Sequence, residues 1–513
     1  MITASFPLLS FVVFFPLLGA LAVGFSGNKG NAKKIAGAVA AIELMGCLSA
    51  LYCFNPDDDQ FQLVERHQWI PSLNIEYLLG IDGISVLFLP MSALVTLTAI
   101  IAAWNSIQHM QAFHYALLLA LQGITTGVFC ALDLALFFLF WELTLPPIFF
   151  LIGLWGIGPH RRMAAVKYTL FMLFGGATLL IGIVILALKS VPSEELIGTQ
   201  LTFSIPALIE KPLADELQGT VFLLLLLGFA VKTPLIPFHT WMPTVTMEGS
   251  PQIAALLTGL KLGAYGIIRL TMPLAPSAAV EFSWILGVVG TVTLIYGALI
   301  ALYQTNLRRL LAYASISHVG LVVVGIATLN MQGIQGALFQ LFNFTIVASS
   351  LMLIAGFVQH RLGSTESVHL GGLAKAMPKL TCFYFLFVLA SIGLPGTSGF
   401  PAELLLIVGA LDAHLSLGIA ALATAVLSAA YMLDFTRKAF FGPIIHSNVR
   451  LCQDLRRREM YLLCVPALLV LFFGLFPNTV LHIHQKSTEQ WLSRILDQPI
   501  TKHDEVAETG LPK

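Results

Sequence analysis

Charged residues are scarce in this chain. Of its 513 residues, 57% are hydrophobic and only 11% are charged, and the mean hydropathy is +0.86. Soluble domains carry about 25% charged residues, so this composition excludes a soluble globule and indicates an integral membrane protein. The net charge is zero, and no basic stripe with interleaved aromatic residues is present. A nucleic-acid-binding protein is therefore excluded as well.

Cysteine is also sparse and carries no motif. The six cysteines form no Cys-x-x-Cys pair and no metal-ligand spacing, and most lie within apolar segments. No stretch resembles a Gly-x-Gly-x-x-Gly strand–helix unit or the cysteine set of an iron–sulfur cluster. We therefore predict no metal site and no redox cofactor in this chain. If the protein belongs to a redox machine, the redox chemistry takes place in other subunits.

Long apolar runs are abundant, and they predict an all-α integral membrane protein with about 14 transmembrane helices. The longest loops, 54–82 and 189–218, have only about thirty residues, too few for a soluble domain. The first run lacks a cleavage-site pattern and is predicted to be a true span rather than a signal peptide. The predicted spans are approximately 6–24, 34–53, 83–104, 112–130, 132–154, 166–188, 219–239, 252–272, 282–303, 310–329, 334–358, 378–411, 416–436 and 460–480.

Lysine and arginine predict the orientation. Loops after odd-numbered spans hold seventeen of these residues, whereas the opposite loops hold four: Arg66, Lys189, Lys211 and Arg269. Basic loops stay on the cytoplasmic side, so the odd-numbered loops are predicted to be cytoplasmic and both termini to lie outside. A bacterial inner membrane is the predicted location.

The sequence also contains signs of an internal repeat. Residues 170–174 (LFMLF) match residues 338–342 (LFQLF) at an offset of 168, and two proline-containing regions are separated by a similar distance. Equivalent spans differ by an odd number, so the copies are predicted to be inverted five-helix repeats with broken helices, a transporter layout. The predicted division is 1–110 for the N-terminal helices, 111–272 and 282–440 for the two repeats, and 441–513 for the last helix and an outside tail.

Lys232 is the most informative ionisable residue. A lysine within the membrane costs at least ~2.5 kcal/mol, so such residues normally face a polar interior and are functional. Pro234 and Pro237 follow it and predict a helix break, and broken helices at membrane depth mark transport sites. Glu142, in an apolar and aromatic run, is the predicted acidic partner. The alternatives are a lysine that reaches the membrane surface and a glutamate satisfied by a neighbouring amide.

Three further ionisable residues lie in similar surroundings. Lys261 stands among glycines that allow close helix approach. His318 carries an imidazole, which suits a proton relay near neutral pH. Glu403 follows a second predicted helix break and occupies the repeat position that matches Lys232. Each has a plain packing role as its alternative, which for Glu403 is a carboxylate favoured at a helix N-terminus. The second predicted break contains Pro395, Gly396 and Pro401.

Three residues near the first break are candidates for gating or for simple interfacial placement. His239 and Trp241 follow the prolines directly, and Glu248 lies one to two turns further on. The sequence does not distinguish between the two interpretations for any of them.

At these residues the sequence resembles a known family. The similar motifs are Trp141-Glu142-Leu143, residues 231–243 (VKTPLIPFHTWMP), 308–320 (RRLLAYASISHVG), 393–403 (GLPGTSGFPAE) and 431–443 (YMLDFTRKAFFGP). They are similar to the antiporter-like, proton-translocating membrane subunits of respiratory complex I, the subunit M or chain 4 family of NADH:quinone oxidoreductase. The resemblance covers essentially the whole chain.

The resemblance implies a role for each motif residue. Glu142 and Lys232 would form the first half-channel, Lys261 would connect the halves, His318 would continue the axis, and Glu403 would serve the exit side. It further implies that NADH, flavin, iron–sulfur clusters and quinone belong only to partner subunits, and that homologous antiporter-like subunits and the lipid bilayer surround the chain. The expected function is redox-driven proton translocation by a subunit without a redox centre.

This sequence departs from the family pattern at two places. Thr244-Val245-Thr246 stands where the family has Asp-Ala-His, and Asn343-Phe344 stands where it has Ser-His. The second departure removes a titratable histidine from the expected axis. Three alternatives therefore stay open: a channel subunit of a cation/proton antiporter or hydrogenase-type complex, a subunit that couples proton flow to inorganic-carbon uptake, and a non-conducting scaffold.

Overall fold

Helices make up most of the structure, a computed structural model that describes residues 2–3, 6–26, 31–189, 201–444 and 446–496. Within a bilayer every backbone polar group must be satisfied internally, and apolar runs achieve this as helices. The helices of eight residues or more are Leu8–Phe25, Asn31–Cys53, Phe88–Ala103, Gln111–Cys130, Leu134–Leu143, Leu145–Trp155, Arg161–Lys189, Asp215–Lys232, Trp241–Glu248, Pro251–Gly259, Ser283–Leu302, Leu307–Ala327, Met331–Leu362, Pro378–Ser391, Gly399–Ala413, Leu415–Ala439, Arg457–Leu475 and Asn478–Leu496.

Shorter elements connect these helices. They are the α-helical turns Ile205–Glu210, Leu262–Gly266, Met272–Leu274, Pro276–Glu281, Ser367–Leu370, Leu373–Ala376 and Ser447–Arg450, the 3-10 turns Pro71–Leu73 and Phe238–Thr240, and the π-helical turn Ile267–Thr271. The strands Gln62–Ile70 and Ile75–Ile81 pair antiparallel as a hairpin. The predicted helical membrane class is confirmed, with this hairpin as a small addition that was predicted only as a loop.

Eleven helical stretches in the described part of the chain are long and apolar enough to cross a membrane. Two of them, Leu134–Trp155 and Pro251–Leu274, each combine shorter helices given above. Phe88–Ala103 and Pro378–Ser391 are shorter apolar helices of the same kind. The count of fourteen spans, the inverted repeats and the four domain boundaries stay predictions.

Several of the membrane helices have a short polar side chain that caps their N-terminus. The Asp133 carboxylate accepts hydrogen bonds from the backbone N–H groups of Ala135 and Leu136, at 2.9 and 3.0 Å. Asn306 and Asn330 cap the helices that follow them in the same way. These caps satisfy N–H groups that have no partner within the helix, so they fix where each span begins.

Four interruptions lie within the apolar helices. One separates Leu134–Leu143 from Leu145–Trp155, and a second follows Lys232. A third, between Gly259 and Leu262, contains Lys261, and a fourth lies between Ser391 and Gly399. Left-handed backbone at Gly393 and Gly396, with φ of 68° and 91°, shapes the fourth, as glycine permits. Pro401 lies beyond that interruption, in the first turn of the next helix.

The helix Asn478–Leu496 packs against the helices Met331–Leu362 and Pro276–Glu281. The Gly83 N–H donates to Ser487 Oγ at 2.9 Å, and the Gly83 carbonyl accepts from His484 Nδ1 at 2.5 Å. Trp491 Nε1 donates to the Ile268 carbonyl at 2.8 Å. Part of the stretch predicted as an outside tail therefore forms a helix that packs against the rest of the structure.

Candidate functional site

Lys232 is the last residue of its helix, and neutral groups hold its ammonium. Nζ donates to Thr144 Oγ1 at 2.9 Å and to the Trp141 carbonyl at 3.5 Å, and it lies 3.9 Å from the centre of the Trp141 ring. A desolvated cation over an aromatic face gains about 2 kcal/mol or more. Thr144 lies at the interruption after Leu143, so this helix break provides the hydroxyl that the lysine needs.

Glu142 lies next to this lysine site but does not form an ion pair with it. No carboxylate of a described residue approaches Lys232 Nζ within 4.0 Å, although the two charges act on each other. The Glu142 carboxylate instead lies against Gly176 of the helix Arg161–Lys189. A Cβ atom at position 176 would be 2.0 Å from Glu142 Oε1, so only glycine leaves space for the carboxylate in this position.

A small internal cavity of about 30 Å³ adjoins Lys232. A water molecule needs about 10–15 Å³ of such space, so the cavity has room for about two. Thr144, Tyr168 and Trp241 line it near the lysine, and Leu260 and Leu262 line it on either side of Lys261 in sequence. The cavity therefore extends from the first lysine to the chain segment that carries the second.

Lys261 occupies the interruption between Pro251–Gly259 and Leu262–Gly266. Its side chain is buried, with 8% relative exposure, and Nζ donates to Ser315 Oγ. The chain packs closely against a neighbouring helix just before the interruption, where a Cβ atom at Gly259 would lie 2.0 Å from Ser349 Oγ. Sequence reasoning predicted the lysine but not this break. The available signal was a glycine on each side of Leu260-Lys261-Leu262, without a proline.

His318 and Glu403 face each other in the second half of the molecule. His318 lies one turn after Ser315, and its Nδ1 is 3.8 Å from Glu403 Oε1. Both atoms are buried, and neither has a hydrogen-bond partner among the described residues. On its other side, His318 Nε2 lies 3.4 Å from the Tyr431 hydroxyl. A gap of 3.8 Å is too long for a hydrogen bond, so a small movement makes or breaks this contact.

Phe344 occupies the position where the family pattern has a histidine, and its ring centre lies 4.5 Å from that of His318. The preceding residue, Asn343, forms hydrogen bonds with two other side chains. Asn343 Oδ1 accepts from Ser398 Oγ at 2.6 Å, and Asn343 Nδ2 donates to Gln340 Oε1 at 3.3 Å. An aromatic ring thus replaces the titratable group, while Asn343 connects the fourth helix interruption to the helix Met331–Leu362.

Trp241 and His239 anchor the chain segment that follows Lys232 through contacts with other parts of the structure. Trp241 Nε1 donates to the Val231 carbonyl at 2.9 Å, which ties the new helix back to the end of the previous one. His239 is buried and packs edge-on against Tyr296, with ring centres 5.2 Å apart. Neither residue contacts Lys232 by a hydrogen bond within the described structure.

Glu248 and Thr244 lie further along the helix after the break. The Glu248 carboxylate accepts from the backbone N–H of His160 at 2.7 Å. Thr244, which stands at the first departure from the family pattern, accepts a hydrogen bond from Lys167 Nζ at 3.0 Å, and this lysine also donates to the Thr240 carbonyl at 2.8 Å. Lys167 therefore fastens this helix to its neighbour.

Sequence reasoning missed several buried acids, among them Asp82 and Glu43. Asp82 forms a bidentate ion pair with Arg269, with N–O distances of 2.6 and 2.8 Å, and Tyr265 Oη accepts from Arg269 Nε at 3.2 Å. The placement of Arg269 in an outside loop was wrong, because this side chain is 4% exposed and lies in a helical turn. Glu43 is completely buried. Among the described residues, no three His, Cys, Asp or Glu side chains are grouped so that they could hold a metal ion.

The fold and this site define a class of protein: a multi-pass membrane protein whose interrupted helices carry buried lysine, histidine and glutamate side chains. Comparison with known proteins gives the family. The family described as NADH:quinone oxidoreductase/Mrp antiporter, TM, matches residues 131–428, and the chain belongs to it.

Two curated relatives match nearly the whole length. The chain is 33% identical over 495 residues to NADH-quinone oxidoreductase subunit M of Rickettsia prowazekii, covering 95% of this chain and 99% of the relative. It is 37% identical over 497 residues to NAD(P)H-quinone oxidoreductase chain 4 1 of a Synechococcus species, covering 94% and 92%. The resemblance predicted from the motifs is thereby confirmed.

Two solved structures have a similar fold. A chain of respiratory complex I from Thermus thermophilus with bound NADH superposes with a TM-score of 0.85 and 28% identity, covering 95% of this chain and 99% of the other. A chain of the Mrp complex from Dietzia superposes with a TM-score of 0.81 and 22% identity, covering 95% and 97%. The second similarity establishes the fold alone.

Proposed function

We propose that this chain is a proton-translocating membrane subunit of a complex I type NAD(P)H or ferredoxin:quinone oxidoreductase. The observation that carries the proposal is the succession of polar groups from the half-buried Lys232, through the small cavity, to the buried Lys261, Ser315, His318 and Glu403. A non-conducting helix bundle would have no reason to bear the desolvation cost of these residues.

The chain acts within a larger assembly. Its relatives are named as subunits of quinone oxidoreductases, which supports a function that depends on redox chemistry in other subunits. NADH, flavin, iron–sulfur clusters and quinone are bound by those partners, and homologous antiporter-like subunits adjoin this one in the bilayer. The basic loops after odd-numbered spans support a bacterial inner-membrane location with both termini outside.

Proton movement begins at Glu142 and Lys232. A conformational or electrostatic signal from a neighbouring subunit moves the Glu142 carboxylate, and the change in its field alters how strongly the Lys232 ammonium holds its proton. The departing proton enters the cavity, which leads towards Lys261.

The second half of the pathway depends on a contact that opens and closes. From Lys261 the proton passes along Ser315 to His318, because these two residues are one helical turn apart. Transfer to Glu403 requires the 3.8 Å separation from His318 Nδ1 to shorten to hydrogen-bond length. Glu403 then releases the proton towards the outer face.

Lys232→Ala tests this mechanism in membranes that contain the whole complex. We expect it to abolish donor-driven acidification, measured by quenching of a ΔpH-sensitive dye, while the assembled complex persists on native gels. Lys189→Ala is the matched control, because Lys189 is an exposed lysine at a helix end. Pumping at the wild-type rate by Lys232→Ala would refute the mechanism.

Purification of the tagged chain in mild detergent, followed by mass spectrometry of its partners, tests the assembly. We expect an electron-accepting arm and quinone-site subunits to be recovered. Recovery of antiporter subunits alone, or of one large soluble partner, would instead assign the chain to ion transport without a redox arm.

A further inference from the structure

A buried carboxyl group lies outside the proposed pathway, in the N-terminal helices. Glu43 stands near the middle of the helix Asn31–Cys53, about 18 Å along the axis from its first residue and about 15 Å from its last. The side chain has 0% relative exposure. This position places an ionisable group near the centre of a predicted span, where charged groups are costly and usually functional.

The surroundings of Glu43 contain polar groups, and no basic side chain of a described residue forms an ion pair with it. Cys47 Sγ donates to Glu43 Oε1 at 3.4 Å, and the Gln122 amide lies beside the carboxyl group. Glu43 Oε2 is fully buried and has no hydrogen-bond partner among the described residues. The Cys130 thiol, which is also buried, is a further titratable group that lies within electrostatic range of this carboxyl. An ionised carboxylate without a cation would be very costly here, so the neutral acid is the stable form.

Gln122 links this carboxyl to further side chains in the bundle. Its amide contacts the Thr96 hydroxyl at 2.7 Å and the Thr126 hydroxyl at 3.1 Å. Both threonines are buried, on two of the helices that pack against the Glu43 helix. Thr125, the neighbour of Thr126 in sequence, lines the cavity at Lys232. One helix, Gln111–Cys130, therefore contacts the Glu43 cluster and also lines the Lys232 cavity.

We propose that Glu43 is a further proton-binding site, a membrane-embedded carboxylic acid that responds to the protonation of the Lys232 cavity across the helix Gln111–Cys130. The ligand is the proton itself, held on the carboxyl oxygen that has no protein partner. The response to Lys232 rests on the proposed function, whereas the presence of a protonated acid at position 43 does not.

Infrared difference spectroscopy on the purified complex tests both parts. The spectrum of wild type minus Glu43→Gln should contain the carbonyl band of a protonated carboxylic acid, shifted to lower frequency in deuterated buffer. Glu281→Gln is the control, because this exposed glutamate should contribute only carboxylate bands. Glu43→Asp keeps an acid at the site and should move the band rather than remove it, which covers the case where Glu43→Gln fails to assemble.

The second comparison is between resting complex and complex reduced by its electron donor. We expect the Glu43 band to change in frequency or intensity in wild type and to stay fixed in Lys232→Ala. Absence of a protonated-acid band would overturn the proposal, and a band identical in both states would overturn its link to Lys232. Because the first readout needs no pumping, it remains valid even if Lys232→Ala pumps normally and the proposed mechanism fails.

Discussion

Replacing Gly176 by alanine tests whether the exact placement of the Glu142 carboxylate controls proton movement. Gly176 lies within a membrane helix, and the added methyl group would be 2.0 Å from Glu142 Oε1 and 2.8 Å from its Cδ. Ordinary van der Waals contact begins at 3.4 Å, so the carboxylate must move by about 1.4 Å or turn away. The substitution should not destabilise the helix itself, because alanine is about 1 kcal/mol more favourable than glycine in a helix interior.

The expected effect follows from that displacement. A misplacement of about 1 Å in a reacting group costs on the order of 10²-fold in rate, so we expect donor-driven proton translocation by Gly176→Ala to fall roughly 10- to 100-fold. Electron transfer through the partner subunits and the amount of assembled complex should change much less. Translocation is measured by dye quenching in membrane vesicles, and assembly by native gel.

Two further variants isolate the carboxylate as the cause. Gly153→Ala is the matched control, because its new Cβ would meet only the Ala165 methyl at 3.7 Å, an ordinary contact. Glu142→Asp shortens the side chain by one methylene and should restore part of the activity when combined with Gly176→Ala. Pumping by Gly176→Ala at the level of the Gly153→Ala control would refute the reasoning.

Three other substitutions test structural features of the site and fold. Asp82→Asn leaves the Arg269 guanidinium buried without a counter-charge and should destabilise the assembled protein by about 3–5 kcal/mol, seen as a lower Tm. Adding Arg269→Met removes the unpaired charge and should restore most of the lost stability. Phe344→His places a second imidazole beside His318 and should raise the pumping rate, whereas a fall would contradict the relay. Gly83→Ala puts a Cβ 2.2 Å from a backbone carbonyl of the C-terminal helix and should expose that helix to limited proteolysis; wild-type resistance would contradict this.

Sequence reasoning succeeded where one residue type has a strong local effect. Apolar runs of about 20 residues indicated the membrane class, since lipid leaves such a run few options other than a helix. Proline has no N–H to donate and clashes with a continuing helix, so Pro234 and Pro237 indicated an interruption after Lys232, and the helix ends at that residue. The family followed from motifs that combine these prolines with Glu142.

Features determined by distant contacts were missed. The interruption at Lys261 has no proline, and it adjoins a close contact of Gly259 with Ser349, which lies far away in sequence. Arg269 looked like an outside loop residue because its partner, Asp82, is 187 residues away. The helix Asn478–Leu496 was missed because its burial depends on packing against helices distant in sequence, such as Met331–Leu362, rather than on a long apolar run.

Arg269, Lys232 and Lys261 differ in the partners of their charged groups, and this difference separates a charge that stabilises the fold from charges suited to proton exchange. Arg269 faces a carboxylate through two short hydrogen bonds, and breaking such a buried pair costs about 3–5 kcal/mol, so this pair is suited to holding the fold and not to exchanging protons. Lys232 and Lys261 donate instead to the hydroxyls of Thr144 and Ser315. A hydrogen bond from a charged donor contributes about 1.5–3 kcal/mol, and a hydroxyl can turn to donate to the neutral amine once the proton has left. The hydroxyl partners therefore let each lysine change protonation without leaving an unpaired charge behind, which a carboxylate partner would not allow.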